Sequence, residues 1–316
     1  MSDYSFGKGM PTWNGVPMVG GGGFLAMPGS AYFVDSVNGS DGNTGKSMTK
    51  AVKTVEKAYS LTTSGNNDVI YVVGNGTVYP VSAAITWSNT FTHMVGLTAP
   101  IRYGNRARLS NSATAMTSIL TVSGQGNIFS NFQIQQEEST NTSIDNVIVS
   151  SNRNYFWNVG FAGPLHATVG AAAYNELTLA SGAQDNTFEQ CTFGQWTTVA
   201  AATTGYEIEF KGNNSMSYFK DCRIFTYASS ASHVLVAAAV NLGGEAALVT
   251  FDGCQFANMD NDKTLTIAIS EPTHGIILLK DCVAYNITDW SDTTNAHVYG
   301  TMPATNEAGG IGVVPS

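Results

Sequence analysis

From Asn127 onward, one eight-residue pattern of apolar and polar positions returns six times. The copies are Asn127-Ile-Phe-Ser-Asn-Phe-Gln-Ile, Asn154-Tyr-Phe-Trp-Asn-Val-Gly-Phe, Asn186-Thr-Phe-Glu-Gln-Cys-Thr-Phe, Ser217-Tyr-Phe-Lys-Asp-Cys-Arg-Ile, Val249-Thr-Phe-Asp-Gly-Cys-Gln-Phe and Ile277-Leu-Leu-Lys-Asp-Cys-Val-Ala. Successive copies start 27, 32, 31, 32 and 28 residues apart, a period of about 30 that belongs to solenoids and related arrays. The apolar groups fall at the third, sixth and eighth positions, as in Phe188, Cys191 and Phe193. A straight strand alternates every two residues, so the extra residue after the third position predicts a sharp bend joining two short strands.

Upstream of the copies lie further strand-like runs, among them Val147-Ile-Val-Ser, Leu177-Thr-Leu-Ala, Tyr206-Glu-Ile-Glu-Phe, Val234-Leu-Val-Ala and Leu265-Thr-Ile-Ala-Ile. Three strands per period with little helix predict an all-β, single-stranded right-handed parallel β-helix whose like residues stack along the axis. A leucine-rich horseshoe would need Leu-x-x-Leu-x-Leu spacing and an asparagine ladder, which the copies do not suggest. A propeller would need longer repeats. Val69–Val73, Ile85–Leu97 and Ile119–Val122 read as earlier, less regular coils.

The flanks differ from the repeat. Residues 1–30 carry Gly20–Gly23, three prolines and isolated large apolar residues, which predicts an extended docking arm. Residues 31–66 hold a strand, a loop rich in Gly, Asn and Asp, and a helix over Thr49–Leu61 with Val52, Val55, Ala58 and Tyr59 on one face. Such a helix would cover the open end of the stack, where unpaired strand edges promote aggregation. The coils are expected over 67–287, and 288–316 reads as a tail or small terminal subdomain.

Composition narrows the function. Only 12% of residues are charged against 43% hydrophobic, and the mean hydropathy is −0.01, so the chain folds with a surface of uncharged Asn, Thr, Ser and Gln. A net charge of −9 with 14 Lys and Arg argues against nucleic acid as a partner. Arg102, Arg106 and Arg108 form the densest basic group, read first as a solvated loop and alternatively as an anion site. No apolar run is long enough to span a membrane, and residues 1–30 lack the pattern of a secretory signal. A soluble product made in the cytoplasm is therefore expected.

Candidate chemistry is sparse. Cys191, Cys222, Cys254 and Cys282 share one motif position, which predicts a ladder of buried thiols in preference to disulfides or zinc. Asp35, Asn38, Asp41 and Asn43 offer oxygens to Ca²⁺, but the EF-hand spacing is missing and a stack of Asx turns is the simpler reading. Glu207 and Glu209 fall on one face of a predicted strand and could flank a sugar. Glu137-Glu138 and the bend residues Asp221 and Asp281 are further acidic candidates. The five histidines lack metal-ligand spacing, and no nucleophile elbow, phosphate loop or zinc-protease motif occurs. No catalytic, cofactor or metal residue is assigned on this basis.

The repeated Asn-x-Phe-x-Asn/Asp-Cys-x-Phe coil, preceded by Tyr32-Phe-Val-Asp-Ser-Val-Asn-Gly-Ser-Asp-Gly-Asn-Thr-Gly45, resembles the pectate-lyase-like right-handed β-helix superfamily over roughly 31–286. In particular it resembles members found among tailed-phage virion proteins. The Asp and Arg residues of pectate lyases and the Asn-Thr-Asp, Asp-Asp, Gly-His-Gly and Arg-x-Lys motifs of polygalacturonases are not matched; Thr273-His274-Gly275 lacks the first Gly. The resemblance implies a non-enzymatic virion structural protein, a head-decoration component docking on a major capsid or other virion protein through residues 1–30. The alternative is a tailspike or receptor-binding protein that binds or cleaves host polysaccharide. It also implies a homotrimer on the particle surface, with a host glycan as candidate ligand.

Overall fold

Inward-facing aromatic and branched residues at two-residue spacing form short strands, and the residue between them decides where each strand turns. The computed structural model describes residues 29–111, 116–139, 143–167, 173–200, 205–238, 241–244, 247–270, 272–291 and 298–299, together with the paired strands Thr12–Trp13 and Val16–Pro17. Most of the expected arm 1–30 and most of the tail 288–316 lie outside these residues.

The chain winds as a right-handed parallel β-helix with three long faces. The first sheet has ten parallel strands, from Ala31–Val34 through Ile128–Ser130, Tyr155–Trp157, Thr187–Glu189, Tyr218–Lys220, Leu248–Asp252 and Ile276–Lys280 to Val298–Tyr299. The second has eight, from Val78–Pro80 to Val283–Tyr285, and the third six, from Ile85–Trp87 to Val236–Ala237. Ala31–Val34 already forms the first rung, pairing with Asp68–Val73, and Val298–Tyr299 adds a rung beyond residue 287.

The predicted bend is present in every copy. Its fifth-position residues Asn131, Asn158, Gln190, Asp221, Gly253 and Asp281 all have positive φ, between 49° and 64°. Asn and Asp enter this left-handed region more easily than other non-glycine residues. The turn throws the chain from the first sheet to the second and lets the sixth-position side chain point inward.

The register is that of the motif. Phe129, Phe156, Phe188, Phe219, Phe251 and Leu279 are consecutive partners. The five phenylalanines stack with ring centroids 4.9, 4.7, 4.7 and 4.6 Å apart and planes within 15°. Each such pair adds roughly 0.5–1.5 kcal/mol beyond its buried area. Cys191, Cys222 and Cys254 are buried free thiols and Cys282 is half-buried. Each thiol lies 3.3–3.5 Å from the carbonyl oxygen of the phenylalanine one coil earlier. Burial pushes the Cys222 and Cys254 thiols well above their ordinary range.

Two expectations change. An asparagine ladder does exist: the buried Oδ1 atoms of Asn127, Asn154 and Asn186 accept the backbone N–H groups of Thr92, Asn127 and Asn154 at 2.8–3.0 Å. It is built on the first motif position of a three-sided helix, so it marks no horseshoe. The helix expected over Thr49–Leu61 spans only Val55–Ser60, with Met48–Lys50 as a 3₁₀ turn. Asp41 Oδ1 accepts from the N–H groups of Lys53 and Thr54, Val52 bridges to Val34, and Thr54 caps the helix by accepting from Lys57 N–H. The helix still covers the end of the stack, burying Val55 and Ala58 and packing Tyr59 on Trp87 with centroids 4.5 Å apart.

Two outcomes test this account. Phe219→Ala removes the middle ring of the ladder and is expected to cost about 3–5 kcal/mol in denaturant unfolding; a cost under about 1 kcal/mol would remove the ladder's structural role. A thiol reagent is expected to modify at most Cys282 in the native chain and all four cysteines after denaturation.

Candidate functional site

Outward positions of the second sheet shrink in the middle of the rod. Gly160 and Thr192 follow Gln133 in one row, and Ala162 follows Gln135 in the next, with Gly194 just beyond the paired strand residues. Gly194 has φ +100°, and a Cβ there would meet Phe225 O at 1.8 Å, so only glycine fits. Over this bare floor hangs the segment between Thr92–Leu97 and Arg108–Ser110, where a long loop replaces the tight bend of the repeat. Thr192 Oγ1 and Asn158 Nδ2 hold it down by donating to the carbonyls of Arg102 and Ile101, at 3.2 and 3.4 Å.

The result is a cleft of about 380 Å³. One wall is aromatic. Tyr103 stands edge-on to Trp196 with centroids 4.8 Å apart, Phe225 packs 5.4 Å from both, and the Arg223 guanidinium lies 4.9 Å from the Tyr103 centroid. Trp196 and Tyr103 nevertheless remain 45% and 37% exposed. The opposite wall is a relay along one strand: Gln133 Nε2 donates to Gln135 Oε1 at 2.9 Å, and Gln135 Nε2 donates to Glu137 Oε1. Ser110 Oγ donates to Glu137 Oε2 at 2.8 Å. Arg102 and Arg108 complete the lining, and the buried Nε atoms of Arg108 and Arg223 have no acceptor.

These groups suit a ligand rich in oxygen acceptors with an apolar face, such as a sugar. They do not supply general acid and base together. Among the described residues Glu137 is the one carboxylate lining the cleft, and both its oxygens already accept hydrogen bonds.

The acidic pair expected from the sequence is not assembled. Glu207 and Glu209 were placed on one face, but the N–H groups of Glu207 and Ile208 both donate to Leu235 O, at 3.0 and 3.1 Å. This bulge rotates the chain between them. Glu207 turns inward and sits 3.3 Å from His233 Nε2, whereas Glu209 turns outward to Lys211 Nζ at 2.9 Å. Burial, with Glu207 beside it, pushes the carboxyl of the neighbouring Glu176 well up. Asp221 and Asp281 occupy bends two coils apart, separated by that of Gly253. Glu138 turns away from Glu137 and is buried.

Of the basic group, Arg102 and Arg108 reach the cleft while Arg106 is exposed outside it. The Asx loop uses its oxygens internally. Asp35 Oδ1 accepts from Val37 N–H, Asn38 N–H and Asn75 Nδ2, and Asp41 accepts from Lys53, Thr54 and the Thr54 hydroxyl. Burial opposes ionisation of Asp35, yet the donors from Asn38, Val37 and Asn75 hold its pKa below the usual value. Among the described residues, no three His, Cys, Asp or Glu side chains converge on a metal position.

Tyr103, Trp196, Gln133 and Gln135 were not singled out from the sequence. The available signal was the long stretch Thr98–Ala107 among the less regular coils before the repeat, together with the small residues at outward positions.

Fold and cleft together define a three-sided parallel β-helix with a lateral cleft. The pectin methylesterase of Aspergillus niger superposes with a TM-score of 0.61 at 13% identity, covering 92% of this chain and 91% of that one. A rhamnogalacturonan lyase superposes with a TM-score of 0.52 at 13% identity, covering 82% of this chain and 74% of the other. No protein-family pattern and no curated protein matches the sequence. At this identity the likeness establishes the fold alone.

Proposed function

We propose that the chain is a non-catalytic carbohydrate-binding β-helix, holding a polysaccharide segment against the Tyr103–Trp196 wall. The observation that carries this reading is the cleft itself: two exposed rings, an ordered amide relay and the Arg102 and Arg108 side chains lining one groove. The solved structures of similar fold are named as enzymes of pectin and rhamnogalacturonan, which supports a saccharide as the ligand class. The single, fully hydrogen-bonded carboxylate supports binding over cleavage, since glycoside hydrolysis ordinarily needs two.

This reading favours the receptor-binding alternative over pure head decoration. Mounting on a phage particle and trimer formation rest on the sequence resemblance. Mass spectrometry of purified particles is expected to find the chain among the structural proteins; its absence from them would end the virion reading without touching the cleft.

Titration with soluble acidic and neutral oligosaccharides is expected to give binding without release of reducing ends. Trp196→Ala and Arg108→Ala should each weaken it about tenfold or more. Failure of every glycan to bind would overturn the reading. Product release that disappears in Glu137→Gln would convert it to an enzyme.

A further inference from the structure

Outward positions of the first sheet form two rows along the rod, and in the early rungs they are hidden. Val69 and His93 pair in one row and Val95 and Ser130 in the other, while the alternate residues Ile70, Met94 and Phe129 point into the core. All four outward side chains are nevertheless buried, with between 1% and 7% of their surface exposed. Val69 and Val95 do not belong to the hydrophobic core. In later rungs of the same rows Thr187, Glu189, Tyr218 and Lys220 are half-buried, and Leu278 and Lys280 are exposed. Strand stacking alone therefore leaves these positions open, and a further layer shuts off the early ones.

The hidden patch carries no charge. His93 Nδ1 accepts from Ile128 N–H at 3.0 Å, so the ring proton sits on Nε2, which is buried and has no acceptor. Burial pushes the His93 pKa down to about 4 against the opposing pull of Asp68, leaving the ring neutral at pH 7. Beside Val95, the outward rings of Phe33 and Tyr71 stack with centroids 5.4 Å apart. The first charged side chain in either row is Glu189.

The cover belongs to this chain, because the patch is already buried in one isolated chain. Chain order points to its beginning. The other segments outside the described residues in the early coils, 112–115, 140–142 and 168–172, join the second sheet to the third. Residues 1–28 lead directly into the first sheet, which the chain enters at Ala31, the partner of Val69. Composition matches the patch: residues 9–28 contain no Asp, Glu, Lys, Arg or His and include large apolar residues such as Phe24 and Leu25. Length suffices as well, since five rungs rise about 19 Å and about a dozen extended residues cover roughly 40 Å.

We propose that residues 9–28 lie back along the outer face of the first sheet and seal the patch of Val69, His93, Val95 and Ser130. The segment expected to dock on a neighbour is thus engaged by its own rod. A partner that uses its apolar residues must displace it, and displacement costs the burial of the patch.

Cross-linking of the full chain tests the cover. Ile128→p-benzoylphenylalanine puts a photoreactive group at the border of the patch, where the residue is half-buried. Irradiation is expected to join it to a peptide within residues 1–28, found by mass spectrometry in a product of monomer mass. Reporter thiols give a second reading: Val95→Cys should react about a hundredfold more slowly than Thr250→Cys, an outward and half-buried position of a later rung. Replacing both Phe24 and Leu25 with Ser should speed Val95→Cys about tenfold while the buried Cys222 and Cys254 stay protected. Were those two thiols to react as well, the rod itself would have opened and the cross-link alone decides. A bond to another segment, a bond to a second copy at dimer mass, or no bond would overturn the proposal, as would a Val95→Cys rate unmoved by the two serines in a folded rod.

Discussion

A coil of this chain can hide its apolar face only by lying on the coil before it, so the fold depends on register along the axis. The inward phenylalanines set that register. Their centroid spacing of 4.6–4.9 Å matches the distance between hydrogen-bonded strands, so one displacement satisfies both ring stacking and the backbone ladder. A slip of one residue would bring Tyr218 in and turn Phe219 out, losing both at once. The rest of the interior adjusts volume around this fixed stack. Where the eighth position is Ile134, the sixth is Phe132; where the eighth is Phe161, Phe193 or Phe256, the sixth falls to Val159, Cys191 or Cys254. In the coil that has both Cys222 and Ile224, the third sheet supplies Phe210, whose ring lies 6.1 Å from that of Phe219. The cysteines are thus small apolar fillers in a close-packed core.

Polar ladders solve a second problem created by the same stacking. Each coil turns corners inside the rod, where backbone N–H groups lose water and, at the corner, the sheet ladder as well. Asn127, Asn154 and Asn186 accept those orphan donors from the coil above. At the bend, Asn131 plays the complementary part: its Nδ2 donates to Gly96 O and Thr98 O, while its Oδ1 accepts from Asn105 and Asn158. Asparagine suits both places because one short side chain carries donor and acceptor and tolerates the left-handed region.

Repetition made the fold legible. The third, sixth and eighth positions of the motif and its bend residue could be read because every copy answers the same constraint. The helix boundary failed because Val52, apolar and on the helical face by spacing, is taken by Val34 into a β-bridge, a tertiary preference that periodicity does not show. Glu207 failed for a local reason: alternation places it with Glu209, and one extra residue in the pairing sends it into the interior. The cleft was hidden for a third reason. Tyr103 and Trp196 belong to segments three coils apart, brought together only after the loop folds over the sheet.

The places of chemical interest are therefore those where the repeat is broken. A rod of identical coils has no concavity and no unpaired group, because each position is satisfied by its copy above and below. Thr98–Ala107 breaks the outer surface and forms the cleft; around Gln136 and Glu176 the interior takes amide and carboxyl groups in place of apolar ones. Gln135 and Glu137 face one side of the strand and Gln136 the other, so alternation places the groove wall and a set of buried polar groups back to back. The polar groove wall outside and the buried polar groups inside can coexist there because the backbone between them is fixed by the coils on either side.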